Sequence, residues 1–150
     1  MFLLSIYFLG YYVSQDQFYF ILSAYTIAFA IYILFLLQGS KHDYHWLPFL
    51  VLAMLARGML FFSFPALSDD VYRFIWDGEM IHHGIHPLSY TPEYVLSNII
   101  QDNEYLNILY ELMNSQVYYT VYPPVHQLCF YLAAFGDHNS PEQSAMVLRV

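Results

Sequence analysis

The stretch FYFILSAYTIAFAIYILFLL, Phe18–Leu37, decides the fold class of this chain. It runs for about twenty residues without a charge, the length an α-helix needs to cross ~30 Å of hydrocarbon. The surrounding composition agrees. Apolar residues make up 59% of the 150 residues and charged residues 11%, whereas soluble domains carry roughly a quarter charged residues. Tyr and Phe supply nearly all of the 21% aromatic content, as suits side chains at the boundary between lipid and water. The chain reads as an all-α integral membrane protein.

Upstream, residues 2–13 form a second apolar run. No Lys or Arg precedes it and no small-x-small cleavage site follows it, which argues against a signal peptide. The run is short for a span and crosses only if Tyr11 and Tyr12 reach the interface. Downstream, Gly39-Ser40 closes the clear span, Lys41 to His45 make a polar connection, and Trp46 is placed as an interface anchor. A third span is predicted over 46–67, ending near Pro65, with Arg57 close to its middle. A cation at that depth costs at least ~2.5–3.5 kcal/mol on insertion scales, so Arg57 either faces the protein interior in a pairing or binding role or reaches water.

A fourth span is predicted over 122–136, opened by Tyr122-Pro123-Pro124, since proline is tolerated in the first turn of a helix. A break over 136–141 and a new helix from Ser144 follow. The pattern is still running at Val150, which predicts further spans beyond it. The expected architecture is a multi-span helical bundle. Residues 1–150 form the N-terminal portion of one polytopic domain, and an extracytoplasmic loop over 68–121 carries short surface helices. Lys41 on the cytoplasmic side agrees with this topology, although four Lys and Arg give the positive-inside rule little to act on.

The net charge of −8 is concentrated between Asp69 and Glu111. An acidic surface repels phosphate backbones, which excludes nucleic acid as a natural partner. The lone Cys129 sits in an apolar run and reads as a small packing residue. Within the loop, Thr91-Pro92-Glu93 has the order of an N-cap, a first-turn proline and an acid near the positive helix end. Val95, Ile99, Leu106, Leu109, Leu112 and Met113 follow at partly helical spacing. They predict one or two amphipathic helices, either lying on the membrane surface or capping the loop.

The loop opens on SDDVYRFIWDGEMIHHGIHP, residues 68–87. Ser68 or Asp69 can cap a helix that Gly78 closes, with the acids suited to its dipole. Asp69, Asp70, Arg73 and Asp77 then fall on neighbouring turns of one face. Such a cluster suits a transferase, in which a carboxylate takes the proton of an attacking hydroxyl and a guanidinium holds a phosphate leaving group. His82, His83 and His86 lack the spacing and companion ligands of a structural zinc site. A Mg²⁺ or Mn²⁺ ion on Asp69 or Asp70 is chemically reasonable, because hard cations prefer carboxylates.

These motifs, together with TVYPPVHQ at 120–127, resemble the first extracytoplasmic loop of polyprenyl-phosphate-sugar-dependent glycosyltransferases of the GT-C superfamily, bacterial mannosyltransferase-like proteins especially. The recurring elements are an Arg in the preceding span, an acidic pair, Tyr-Arg, Trp-Asp-Gly, Gly-x-x-Pro and a later Tyr-Pro-Pro. They correspond here to Arg57, Asp69-Asp70, Tyr72-Arg73, Trp76-Asp77-Gly78, Gly84 to Pro87 and Tyr122-Pro123-Pro124. The resemblance covers roughly residues 50–135. It implies an inverting hexosyltransferase, with one of the acidic pair, Asp70 first and Asp69 second, as the catalytic base or the acid that orients the acceptor. Arg73, Arg57, Asp77, Trp76, Tyr122 and Gln127 would contact substrate.

The implied partners are a lipid-linked sugar donor, a mannosyl one by resemblance, a glycan or lipid acceptor, and membrane lipids. The implied location is a bacterial inner membrane with residues 68–121 facing the periplasm. His86 and Leu88 depart from the Asn and Tyr common at those positions, which leaves the acceptor and the sugar open. A transporter or channel subunit and a non-catalytic membrane assembly protein are the other classes that the same residues allow.

Overall fold

The computed structural model describes residues 1–39, 47–64, 67–135 and 141–148. The connection from Lys41 to His45, the Trp46 anchor, the ending at Pro65 and most of the break before Pro141 lie outside them. The described residues form eight helices and no strand. They divide into two compact units, Met1–Leu67 and Ser68–Val150.

The first unit holds α1 (Phe2–Tyr11), α2 (Phe18–Gly39) and α3 (Leu47–Met59). At 1.5 Å per residue, the 22 residues of α2 extend about 33 Å. Its segment Phe18–Leu37 is the one stretch among the described residues long and apolar enough to cross a membrane, and only 11% of it is buried by protein. The small residues Ala24 and Ala28 are its buried points, and they let a neighbouring helix approach closely. α1 packs against α2 and α3. Gly10 leaves room there for the Leu60 side chain, and the Tyr11 hydroxyl donates to the Met59 carbonyl (2.8 Å), one of the unpaired acceptors at the end of α3.

The expected span over 46–67 is not a continuous helix. α3 stops at Met59 and gives way to turns in which Leu60 N–H bonds the Arg57 carbonyl and Phe61 N–H the Gly58 carbonyl. Arg57 therefore stands in the last turn of α3, exposed, where a cation complements the negative helix end. It is not mid-span. The 10 residues of α1 and 13 of α3 make helices of about 15 and 20 Å, each shorter than the hydrocarbon core.

The second unit is built around α4 (Asp70–His82). Every residue from Ile75 to Met80 is buried, which makes α4 a core helix rather than one lying on a surface. Around it stand α5 (Pro92–Asn98), α6 (Glu104–Leu112), α7 (Pro124–Ala133) and α8 (Pro141–Val147), with α6, α7 and α8 in contact with α4. Gly78 does not close α4. The helix runs one turn further and ends where Gly84, at φ 72°, adopts the left-handed conformation. Gly84 N–H bonds the Ile81 carbonyl (3.0 Å) and Ile85 N–H the Met80 carbonyl (2.8 Å), the paired bonds of a Schellman ending. Gly78 serves packing instead: a Cβ there would lie 2.3 Å from the Phe130 carbonyl oxygen.

Thr91 caps α5 as expected, accepting from Tyr94 N–H (3.4 Å) with Pro92 in the first turn. Asn103 caps α6 in the same way through Leu106 N–H (3.0 Å). Val95, Leu106, Leu109 and Met113 are buried in the unit's core. α5 and α6 thus spend these apolar positions on the protein, as a helical cap over α4 would. The expected span over 122–136 is represented by the 10-residue α7, about 15 Å long. Its Gln127, Phe130 and Ala133 are buried, while Val125, Leu128, Leu132 and Phe135 are exposed.

Candidate functional site

α4 carries most of the site residues, and its amphipathy explains their separate fates. Asp69 and Asp70 stand at its N-terminal end, half-buried. Asp69 is the N-cap position but its side chain makes no capping bond; Ser68 Oγ accepts from Asp70 N–H instead (3.3 Å). Among the described residues neither carboxylate accepts a hydrogen bond or joins an ion pair, and Asp70 acts on Tyr122 electrostatically.

One turn into the helix the pattern reverses. Arg73 is 2% exposed and Asp77 0%. Arg73 Nε donates to Asp77 Oδ1 at 2.9 Å, and Arg73 Nη1 donates to the carbonyls of Ser115 and Tyr118, both at 2.9 Å. The second Asp77 oxygen accepts from the Thr120 hydroxyl and from Gln127 Nε2 (2.9 Å). Two charges removed from water are tolerated only when excellent geometry and further hydrogen bonds satisfy them, which this set provides. The result is a clasp of Arg73, Asp77, Thr120 and Gln127 that ties the SDDVYR–WDG motif to TVYPPVHQ. Two polar atoms in it, Arg73 Nη2 and Gln127 Oε1, are buried without a partner.

Trp76 is 1% exposed and lies near Tyr110, with ring centroids 6.5 Å apart, so it acts as a core side chain. Tyr122 is half-buried. Its ring meets Phe74 edge-on at 4.9 Å and Phe130 at 5.5 Å. Phe74 follows Asp70 by one helical turn, which sets the Tyr122 ring against the turn that Asp70 opens. Burial pushes the Tyr122 phenol above its ordinary value, the charges of Asp70 and Asp77 push it further, and Arg73 opposes them.

The histidines do not converge. His82 Nε2 donates to the Tyr131 carbonyl (3.0 Å) and its ring stacks on Tyr131 at 4.4 Å, fastening the end of α4 to α7. His83 and His86 are exposed, and His86 Nδ1 accepts from Leu88 N–H (3.2 Å). No group of three or more His, Cys, Asp or Glu among the described residues is arranged around a common point. By donor type alone Asp69 and Asp70 suit a hard cation, since Mg²⁺ is held by one or two carboxylates with water and substrate phosphate completing its shell.

The structure thus brings Arg73, Trp76, Asp77, Tyr122 and Gln127 together around α4, with Asp69 and Asp70 at its end, while Arg57 belongs to the first unit. Sequence reasoning missed Thr120, which heads the TVYPPVHQ motif, and the carbonyls of Ser115 and Tyr118, which no side-chain pattern reveals. Comparison of the chain with protein-family models, curated proteins and solved structures finds no match.

Proposed function

We propose that the protein is a membrane glycosyltransferase of the GT-C type, moving a sugar, mannose by resemblance, from a polyprenyl-phosphate donor to an acceptor hydroxyl. In this reading α2 anchors it in a multi-span bundle and the second unit faces the extracytoplasmic side. The observation that carries the reading is the division of labour along α4. Among the described residues the carboxylates of Asp69 and Asp70 enter no hydrogen bond or ion pair, whereas Asp77 and Arg73 are spent on a clasp joining the two motifs on which the resemblance rests.

In the reaction, Asp70 takes the proton of the acceptor hydroxyl as that oxygen attacks the anomeric carbon. The new C–O bond forms on the face opposite the breaking bond to phosphate, and the polyprenyl phosphate leaves with the bonding electrons. The sugar inverts. Arg73 is held inside the clasp, so it fixes the helix that presents Asp70 and does not touch phosphate. A Mg²⁺ or Mn²⁺ ion held by Asp69, when bound, would offset charge on the leaving phosphate.

The test supplies membranes carrying the full-length protein with labelled polyprenyl-phosphate mannose. Label passing from the donor lipid to a hydroxyl-bearing acceptor supports the reading. Label that stays on the donor in membranes with and without the protein overturns it.

A further inference from the structure

Beside the clasp, a cleft of about 380 Å³ opens between the end of α4 and the start of α7. Its volume falls in the range of small-molecule sites. Ile81, Ile85 and Leu88 give it apolar walls, and His86, Tyr122 and Gln127 are its polar points. We propose that this cleft is the acceptor subsite, taking an uncharged hydroxyl-bearing ring with one apolar face and excluding the anionic end of the donor. The assignment rests on the transferase reading for the role of the ligand, but its chemistry is read from the cleft itself.

Charge comes first. Among the described residues no Lys or Arg lines the cleft, and Gln127 at its wall is hydrogen-bonded to the buried carboxylate of Asp77. A phosphate placed there would find no guanidinium or ammonium beside it, and the Asp77 charge behind Gln127 is already balanced by Arg73, so the cleft suits a neutral ligand.

Hydrogen bonding comes second. Gln127 is 9% exposed, its Nε2 is used by Asp77 and Thr120, and its Oε1 has no partner. A buried carbonyl left unpaired costs about 1–3 kcal/mol, a cost that a small shift of the amide toward an incoming hydroxyl would remove. His86 accepts at Nδ1 from Leu88 N–H, which puts its proton on Nε2 and makes that atom a donor. The cleft therefore offers an acceptor at Gln127, a donor at His86 and the Tyr122 hydroxyl, which can do either, over an aliphatic wall, the complement of a hydroxylated ring with an apolar face.

Position comes third. Tyr122 lines the cleft and packs against Phe74, one turn from Asp70. Asp70 acts on the Tyr122 phenol electrostatically, so the cleft and the proposed base share Tyr122 as a neighbour. His86 and Leu88 both line this cleft, which makes them the residues to change when testing it.

The experiment measures binding of butyl α-mannopyranoside to the full-length protein in lipid nanodiscs by saturation-transfer NMR. Mannose 1-phosphate serves as competitor. Leu88→Trp fills the cleft and His86→Ala removes a donor; both residues are exposed, and an unchanged melting temperature verifies that each variant folds. The butyl glycoside is expected to bind, Leu88→Trp to weaken it at least about tenfold, His86→Ala to weaken it less, and mannose 1-phosphate not to displace it. Absence of binding, binding untouched by both variants, or displacement by mannose 1-phosphate overturns the subsite. Binding as expected without any transfer from labelled donor sinks the transferase reading alone. Transfer without this binding pattern sinks the subsite alone.

Discussion

Arg73 and Asp77, one turn apart on α4, form a buried ion pair: Nε lies 2.9 Å from Oδ1, with the two side chains 3% and 1% exposed. On a solvated helix face an i,i+4 pair of this kind contributes a few tenths of a kcal/mol. Here the same spacing is a structural joint, because Asp77 also receives Thr120 and Gln127 from the other motif.

Removing Asp77 is therefore expected to be costly. Asp77→Ala leaves a buried guanidinium without its counter-charge and strips Thr120 and Gln127 of their acceptor, a loss of about 3–5 kcal/mol. The double change Arg73→Met with Asp77→Leu removes both charges at once and should cost less than Asp77→Ala alone. Thermal unfolding of the wild-type, single and double variants in the same detergent checks this, and a double variant worse than the single would contradict it.

Gly78 and Gly58 should respond oppositely to alanine. At Gly78 the new Cβ meets the Phe130 backbone, which cannot swing aside like a side chain, and overpacking of this kind costs about 1–3 kcal/mol. At Gly58, on the exposed end of α3, nothing lies within 4 Å, and relief of glycine's backbone entropy should stabilise by about 0.5–1 kcal/mol. Melting temperatures should accordingly fall for Gly78→Ala and rise for Gly58→Ala.

Tyr122 should ionise above the 10.0 of an ordinary tyrosine. A raised folded value means the stabilising contribution is full below the unfolded value and is lost as pH rises through the folded one. The difference in phenolate absorbance between the wild-type chain and Tyr122→Phe isolates this group during alkaline titration. Asp70→Asn should move its midpoint downward by removing one of the charges that raise it; an unchanged midpoint would mean Asp70 does not face Tyr122.

What was legible in the sequence was chemistry along a helix, and what was not was depth. The uncharged run at Phe18–Leu37, the Thr91-Pro92 start and the shared face of Arg73 and Asp77 all follow from local rules, and all appear in the structure. Hydropathy could not distinguish the short α3 and α7 from spans, because apolar composition does not say where a helix stops. Gly78 looked like a terminator, since a C-cap glycine and a packing glycine are the same letter; the Phe130 carbonyl that makes the difference is 52 residues away in the chain. The acids were misjudged as one cluster for a related reason. Periodicity places Asp70 and Asp77 on one face two turns apart, but only the arrival of Thr120 and Gln127 shows that one is buried and the other is not.

That distinction leads to the most direct measurement. Initial rates of mannosyl transfer from labelled polyprenyl-phosphate mannose should be compared for the full-length wild-type protein and Asp70→Asn, alongside thermal unfolding of both. Asp70 is half-buried and, among the described residues, joins no hydrogen bond through its carboxylate, so the account predicts unfolding free energies within about 0.5 kcal/mol of each other. It predicts that transfer falls at least about a hundredfold, the scale of losing a general base. Transfer at the wild-type rate by a folded Asp70→Asn protein would contradict the account.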